Sequence, residues 1–248
     1  MTEYLTRTGA TQVKTIPGTL YYNNSKVEDK FDVHEILGKG GFGVVRRATY
    51  KGFKQTSYAL KYIDTDKLNE IDLEDQLKEE NALSKIHHDR VVKLHAVFAE
   101  KGTRILVLDL APGGDLYELV DKAAGFSAEK ARPIFEQIVE GIRFIHFKGI
   151  IHRDCNPKNF MLDNEGNVKI CDFGLCHIYP FAGFYSYSRK CTTLTLNLTV
   201  GVPLFVEGLC MGGCLSYRAP EMVMGEPHSY PLDVWAIGSV LYWMLTGK

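Results

Sequence analysis

The chain has 248 residues, 45% hydrophobic and 24% charged, with a formal net charge of −1. That length can bury a large core, and the balance suits an ordinary soluble globular protein of one or two domains. There is no basic excess for nucleic acid, no apolar run long enough to span a bilayer, and no apolar core of a secretory signal near the first residues. We therefore expect a cytoplasmic protein with neither nucleic-acid nor membrane partners. Six cysteines, all between Cys155 and Cys214, follow no common zinc spacing and read as free thiols.

In chain order, residues 1–30 are polar, with Gly-Thr and Asn-Asn turns, and read as a flexible extension. Phe31 to Leu37 begins a strand. Gly38-Lys39-Gly40-Gly41-Phe42-Gly43-Val44-Val45 follows. Such glycines serve surface hairpins as well as phosphate sites, so the flanks decide. A dinucleotide-binding turn opens a helix, whereas Val44, Val45 and the alternation after them favour a second strand. Tyr58 to Ile63 is a further strand with Lys61 among apolar residues; in isolation that lysine would also suit a solvated edge. Leu68 to Ile86 reads as a helix. Arg104 to Leu110 is an apolar strand leading into Ala111-Pro112-Gly113-Gly114-Asp115, a turn by composition. Ser127 can cap a helix running to about Lys148, with Ile134, Ile138, Ile142 and Ile145 on one stripe. Pro133 costs ~3 kcal/mol in a helix interior and less near the first turns.

The stretch from Ile150 to Gly174, IIHRDCNPKNFMLDNEGNVKICDFG, concentrates the chemistry. Asp154 and Asn159 share a loop, and Asp172 follows a short apolar strand at 168–171. Phosphoryl transfer from ATP needs such a set: one carboxylate to orient the attacking hydroxyl, and a second carboxylate with an amide oxygen to hold Mg²⁺.

This stretch resembles the catalytic loop and the metal-binding Asp-Phe-Gly of a eukaryotic protein kinase. The glycine hairpin, Lys61, Ala219-Pro220-Glu221 and Asp233-Val234-Trp235-Ala236-Ile237-Gly238 complete that family's motifs in its order. The chain is similar to the serine/threonine type, calcium/calmodulin-dependent-like or related. The resemblance implies an α+β, bilobal fold. Its N-lobe, about 31–110, would be a small antiparallel β-sheet with one key helix. Its C-lobe, about 111–248, would be mostly helical and lack its last helices. ATP and Mg²⁺ are implied as cofactors. Gly38, Lys39, Gly40, Gly41, Phe42 and Gly43 would cover the phosphates. Val45, Ala59, Leu108 and Met161 would enclose the adenine, bonded to the backbone around Asp109 and Ala111, with Asp115 near the ribose. Lys61 would contact the α- and β-phosphates, held by Glu79, with neighbouring Glu80 the alternative. Asp154 would be the catalytic carboxylate, and Asn159 and Asp172 the metal ligands. Leu83, Leu94, His152 and Phe173 would stack between the lobes, Arg153 would meet an activation-loop phosphate, and Asp233 would cap the catalytic loop.

Four departures stand out. Asn156 replaces the lysine two residues after the catalytic aspartate, and Lys158 is offered as its substitute at the γ-phosphate. Cys214 stands where a threonine hydroxyl would bond Asp154, and a thiol is a weak donor. The segment about 179–207 looks like an insertion, with Thr195, Thr199 or Glu207 as displaced regulatory positions. The chain stops at Lys248, so we expect a fragment, or a helix around Asp233 covered by a partner or second chain, with Glu221 lacking its usual arginine. The expected function is a protein serine/threonine kinase acting on protein hydroxyls. Pro157 and Tyr217-Arg218-Ala219-Pro220-Glu221 lean toward serine and threonine, and Lys158 and Trp243 argue against a strong arginine requirement in the substrate. The alternative is an ATP-binding pseudokinase or truncated interaction module, favoured by Asn156 and Cys214.

Overall fold

The computed structural model describes residues 19–23, 25–40, 43–179 and 214–248. A six-stranded sheet occupies the first half. Its strands are β1 (Leu20–Asn23), β2 (Phe31–Gly40), β3 (Gly43–Tyr50), β4 (Phe53–Asp64), β5 (Leu94–Glu100) and β6 (Thr103–Asp109), in the order β1-β5-β6-β4-β3-β2. Strands β2 to β6 pair antiparallel, and β1 adds to β5 in parallel. Two expectations are corrected here. The sheet is mixed, not antiparallel throughout, and the extension expected over 1–30 is folded from Thr19 on. The cause is visible in Leu20-Tyr21-Tyr22, a β-favouring run. Tyr22 is buried and stacks on Phe98 with ring centroids 4.6 Å apart, and Val27 is wholly buried behind the sheet.

One helix, α1 (Glu70–Lys85), lies against this sheet and contributes Ala82 and Leu83 to the core. The second half is mostly helical, with α2 (Leu116–Ala123), α3 (Ala128–Phe147), α4 (Pro220–Met224) and α5 (Pro231–Thr246). Between α3 and α4 run the short strands β8 (Ile150–Ile151), β9 (Phe160–Leu162), β10 (Val168–Ile170) and β11 (His177–Ile178), and β7 (Gly114–Asp115) precedes α2. Sheet β10-β9-β7 and the pair β11-β8 carry the loop of interest. The architecture is the expected bilobal α+β arrangement.

Ser127 caps α3, its hydroxyl accepting from Lys130 N at 3.4 Å. Pro133 lies inside α3 without ending it. Burial explains why: Ile138, Ile142 and Ile145 are each at most 2% exposed. Each is worth about 1.5–3 kcal/mol, together exceeding the proline penalty of ~3 kcal/mol. At Gly141 the helix meets the loop's own strand, where a Cβ would approach Ile170 Cδ1 to 2.5 Å. That glycine sets how closely α3 supports β10.

Leu83, Leu94, His152 and Phe173 are all buried, and the His152 and Phe173 rings lie 4.7 Å apart, so sheet, helix and loop share one core. Val234, Trp235, Tyr242 and Leu245 on α5 are exposed, and Glu221 is half-buried. The segment about 179–207, expected as an insertion, lies outside the described residues apart from Tyr179, and with it Thr195, Thr199 and Glu207. Among the described residues Cys155, Cys171, Cys176 and Cys214 are free thiols, and no helix is long and apolar enough to cross a membrane.

Candidate active site

Sheet register brings the first group together. Strand β4 places Lys61 opposite Val45 of β3 and Leu106 of β6, and Ala59 opposite Leu108. Lys61 Nζ reaches Glu79 Oε2 at 2.6 Å and stands 3.8 Å from Asp172 Oδ1. Glu80 turns instead to Arg104, which holds it through two nitrogens at 2.6 and 2.8 Å. The choice between the adjacent glutamates is therefore decided for Glu79. Burial opposes the Lys61 charge, but Glu79 and Asp172 outweigh it and hold the amine above the ordinary lysine range. Burial pushes the Glu79 carboxyl up, and Lys61 pulls it part of the way back. The glycine hairpin joins β2 to β3 with Gly38 opposite Val45, Lys39 opposite Val44 and Gly40 opposite Gly43. A Cβ at Gly43 would overlap the Tyr62 carbonyl oxygen, so close strand approach requires glycine there. Gly41 and Phe42 lie outside the described residues.

The loop supplies the second group. Asn159 Nδ2 donates to Asp154 Oδ2 at 2.8 Å and to the Asp154 carbonyl at 2.9 Å. Cys214 N donates to Asp154 Oδ1 at 3.2 Å. Both oxygens of Asp154 thus have a donor, which fixes the carboxylate plane while leaving lone pairs for a further hydroxyl. His152 ties the loop to the Asp172 strand. Its Nε2–H donates to the Cys171 carbonyl at 3.0 Å, and its Nδ1 accepts from Asp154 N at 3.3 Å, which assigns the neutral tautomer. Arg153 and Asp172 adopt left-handed backbone, with φ of 66° and 61°. Non-glycine residues occupy that region only where the surroundings enforce it.

The enforcement behind Arg153 is Asp233 on α5. Its carboxylate is fully buried and accepts from His152 N and Arg153 N at 2.9 Å each, and from His146 Nε2 at 2.8 Å. Burial alone would raise its pKa, but the His146 contact and the donated hydrogen bonds outweigh it, so the carboxyl lies below its ordinary range. Cys155 is buried nearby, and burial followed by the Asp233 charge pushes its thiol far up. Arg153 points its Nε at the Leu175 carbonyl, 2.6 Å away.

Asp172 and Asn159 carry the donor types that a hard metal ion would take. The Asp172 side chain is 53% exposed, with Lys61 nearby. Asn159 uses its amide nitrogen on Asp154, which turns its oxygen the other way. No cluster of three or more His, Cys, Asp or Glu suited to a metal exists among the described residues. One carboxylate and one amide oxygen instead match Mg²⁺, which retains waters and takes its remaining oxygens from phosphates.

Residues 31–248 match the protein kinase domain family. The chain belongs to that family. It is 30% identical over 229 residues, 92% of this chain and 31% of the relative, to NUAK family SNF1-like kinase 1 of Mus musculus. It is 32% identical over 228 residues, 90% of this chain and 28% of the relative, to calcium/calmodulin-dependent protein kinase type II of Caenorhabditis elegans. To CBL-interacting protein kinase 1 of Oryza sativa subsp. japonica it is 30% identical over 220 residues, 88% of this chain and 43% of the relative. The chain therefore spans between 28% and 43% of the length of these relatives.

In this kinase domain the remaining expected residues are distributed unequally. Met161 lies on β9 opposite Asp115, whose carboxylate caps α2 by accepting from Glu118 N at 2.8 Å. Asp109 gives its N–H to the Lys93 carbonyl and binds His95 at 2.7 Å through its side chain, while Ala111 is buried. Lys158 has its ammonium 5.2 Å from the Tyr117 ring centroid. Two roles escaped the sequence reading. Asn156 caps the turn Pro157–Asn159, accepting from Lys158 N at 3.0 Å, a use that Asn before Pro does signal. Cys214 meets Asp154 through its backbone N–H, which no side-chain pattern announces.

Proposed function

We propose that this kinase domain transfers the γ-phosphate of ATP to serine or threonine hydroxyls of proteins. The observation that carries the reading is the pairing of Lys61 with Glu79 beside Asp172, together with Asp154 and Asn159 joined in one loop. Lys61, kept charged by Glu79, would bind the α- and β-phosphates. The glycine hairpin would cover them, and Val45, Ala59, Leu108 and Met161 would enclose the adenine. Asp172 and Asn159 would hold Mg²⁺, which supplies charge neutralisation along the phosphates when bound. Asp154 would accept a hydrogen bond from the substrate hydroxyl and orient its oxygen toward the γ-phosphorus; the new P–O bond forms as the bond to the β-phosphate oxygen breaks, releasing ADP.

A second reading, an ATP-binding pseudokinase, is supported by Asn156. Its side chain serves the loop, bonding Lys158 N and the Asp154 carbonyl, where family members place a cation. Thermal unfolding with and without Mg²⁺-ATP, followed by γ-phosphate transfer to a generic protein substrate, separates the two. A ligand-dependent rise with transfer that vanishes in Asp172→Ala supports the kinase. A rise without transfer supports the pseudokinase.

A further inference from the structure

The turn that carries Asn159 also carries Lys158. Asn159 is buried and Lys158 exposed. Lys158 Nζ stands over the Tyr117 ring, and Tyr117 stacks on Trp243 with centroids 5.3 Å apart and planes 5° from parallel. Three elements, the Pro157–Asn159 turn, α2 and α5, thus build an aromatic step topped by one cation. That cation meets no carboxylate among the described residues. Of the nearby acids, Asp115 caps α2 and Glu118 pairs with Lys122 at 3.1 Å, while Asp121 on the same helix is exposed.

The step adjoins the catalytic carboxylate. Asp154, Cys214 and Tyr217 line one small cavity. Lys158 follows Asp154 by four residues in the same loop, on the turn Pro157–Asn159. An isolated surface lysine is ordinarily a solvated chain. This one differs because a ring, itself clamped by a second ring, holds its ammonium in place, so less side-chain entropy remains to be lost on binding.

We propose that Lys158, Tyr117 and Trp243 form a substrate subsite that reads an anionic side chain, carboxylate or phosphate, on the protein presenting its hydroxyl to Asp154. The proposal rests on the kinase reading above. Tyr117 and Trp243 supply a flat apolar flank for the substrate chain, and Lys158 supplies the charge. An arginine or lysine of a substrate would meet a like charge at Lys158, so selectivity comes from repulsion as well as attraction.

The test is binding of fluorescent peptides, measured by anisotropy at low salt without nucleotide, so that it does not depend on transfer. The peptides carry alanine at the acceptor position and Glu, phosphoserine, Ala or Arg at positions around it. The Glu peptides should bind about fivefold tighter than the Ala peptides, the phosphoserine peptides about tenfold tighter, and the Arg peptides weakest. A phosphoserine preference without a Glu preference assigns the subsite to phosphate. Lys158→Glu, a change at an exposed position, should reverse the order, and Trp243→Ala should weaken the acidic peptides. The proposal is overturned if wild type and Lys158→Glu rank the peptides alike, if Arg peptides bind tightest, or if no peptide binds. It is also overturned if, on a matching set of peptides with serine at the acceptor position and Mg²⁺-ATP present, Lys158→Glu lowers transfer equally on all of them without reordering them, which would put the lysine at the phosphate. Mg²⁺-ATP binding is followed separately: peptide discrimination without nucleotide binding sinks the kinase reading and leaves the subsite standing.

Discussion

Behind Asp154 the catalytic loop is fastened to a fully buried carboxylate, Asp233, which takes two backbone N–H groups and the His146 ring. In front, the same loop meets Asn156, Lys158 and Cys214, of which Lys158 and Cys214 are exposed and make their contacts within reach of water. The difference follows from dielectric. A buried charge that loses its partner stays uncompensated at a cost of about 3–5 kcal/mol, whereas exposed polar contacts exchange with solvent for about 0–1 kcal/mol. The back of the loop therefore tolerates little change, and the rim is where a kinase domain can vary its residues to alter rate or selectivity.

The sharpest break of this contrast is at the carboxylate between the two regions. Asp154→Asn should lower transfer about 10³-fold while the thermal shift produced by Mg²⁺-ATP persists; loss of that shift would mean that Asp154 serves binding instead. At the back, Asp233→Asn should cost about 3 kcal/mol in urea unfolding. Asp233 also gives a pH signature. Its folded pKa is depressed, so its contribution is complete above the unfolded value of ~3.9 and is lost as pH falls through the lower folded value. Asp233→Asn should flatten the acid limb of stability below about pH 4, and an unchanged limb would assign acid sensitivity elsewhere.

Smaller effects separate the adjacent glutamates. Lys61→Met should cost about 3 kcal/mol because Glu79 is then buried alone. Arg104→Met should cost about 1 kcal/mol because its pair with Glu80 lies nearer solvent. Equal costs would remove the distinction. At Asn156, which is buried, Asn156→Lys should lower stability by at least about 1 kcal/mol through loss of the turn cap and raise transfer; a fall in both would show that the cap matters more than the added cation.

Much of the site was legible because its chemistry uses side chains at fixed spacing. Asp154, Asn159 and Asp172 are read from one stretch, and Glu79 was preferred to Glu80 on the register that the family resemblance implies; in the fold Glu79 pairs with Lys61 and Glu80 with Arg104. What was missed has other causes. The Cys214 contact is made by a backbone N–H, so the residue type was read as a weak donor although the bond does not use the thiol. Lys158 was judged by its distance in sequence from Asp154, but its ammonium settles on Tyr117, which belongs to another helix. Strand β1 escaped because four residues among polar neighbours give little periodicity, and its partner lies more than seventy positions away.

That strand has a practical consequence. With β1 in place, the seven-residue strand β5 is an interior member of its sheet, and a segment of only four residues forms the margin. A shortened chain beginning at Phe31 would leave the β5 backbone from Ala96 to Ala99 facing solvent as an open template for another molecule's strand. It would also remove the Tyr22 ring from Phe98. Trimming to the family boundary thus opens an edge through which copies of the chain can pair strand to strand.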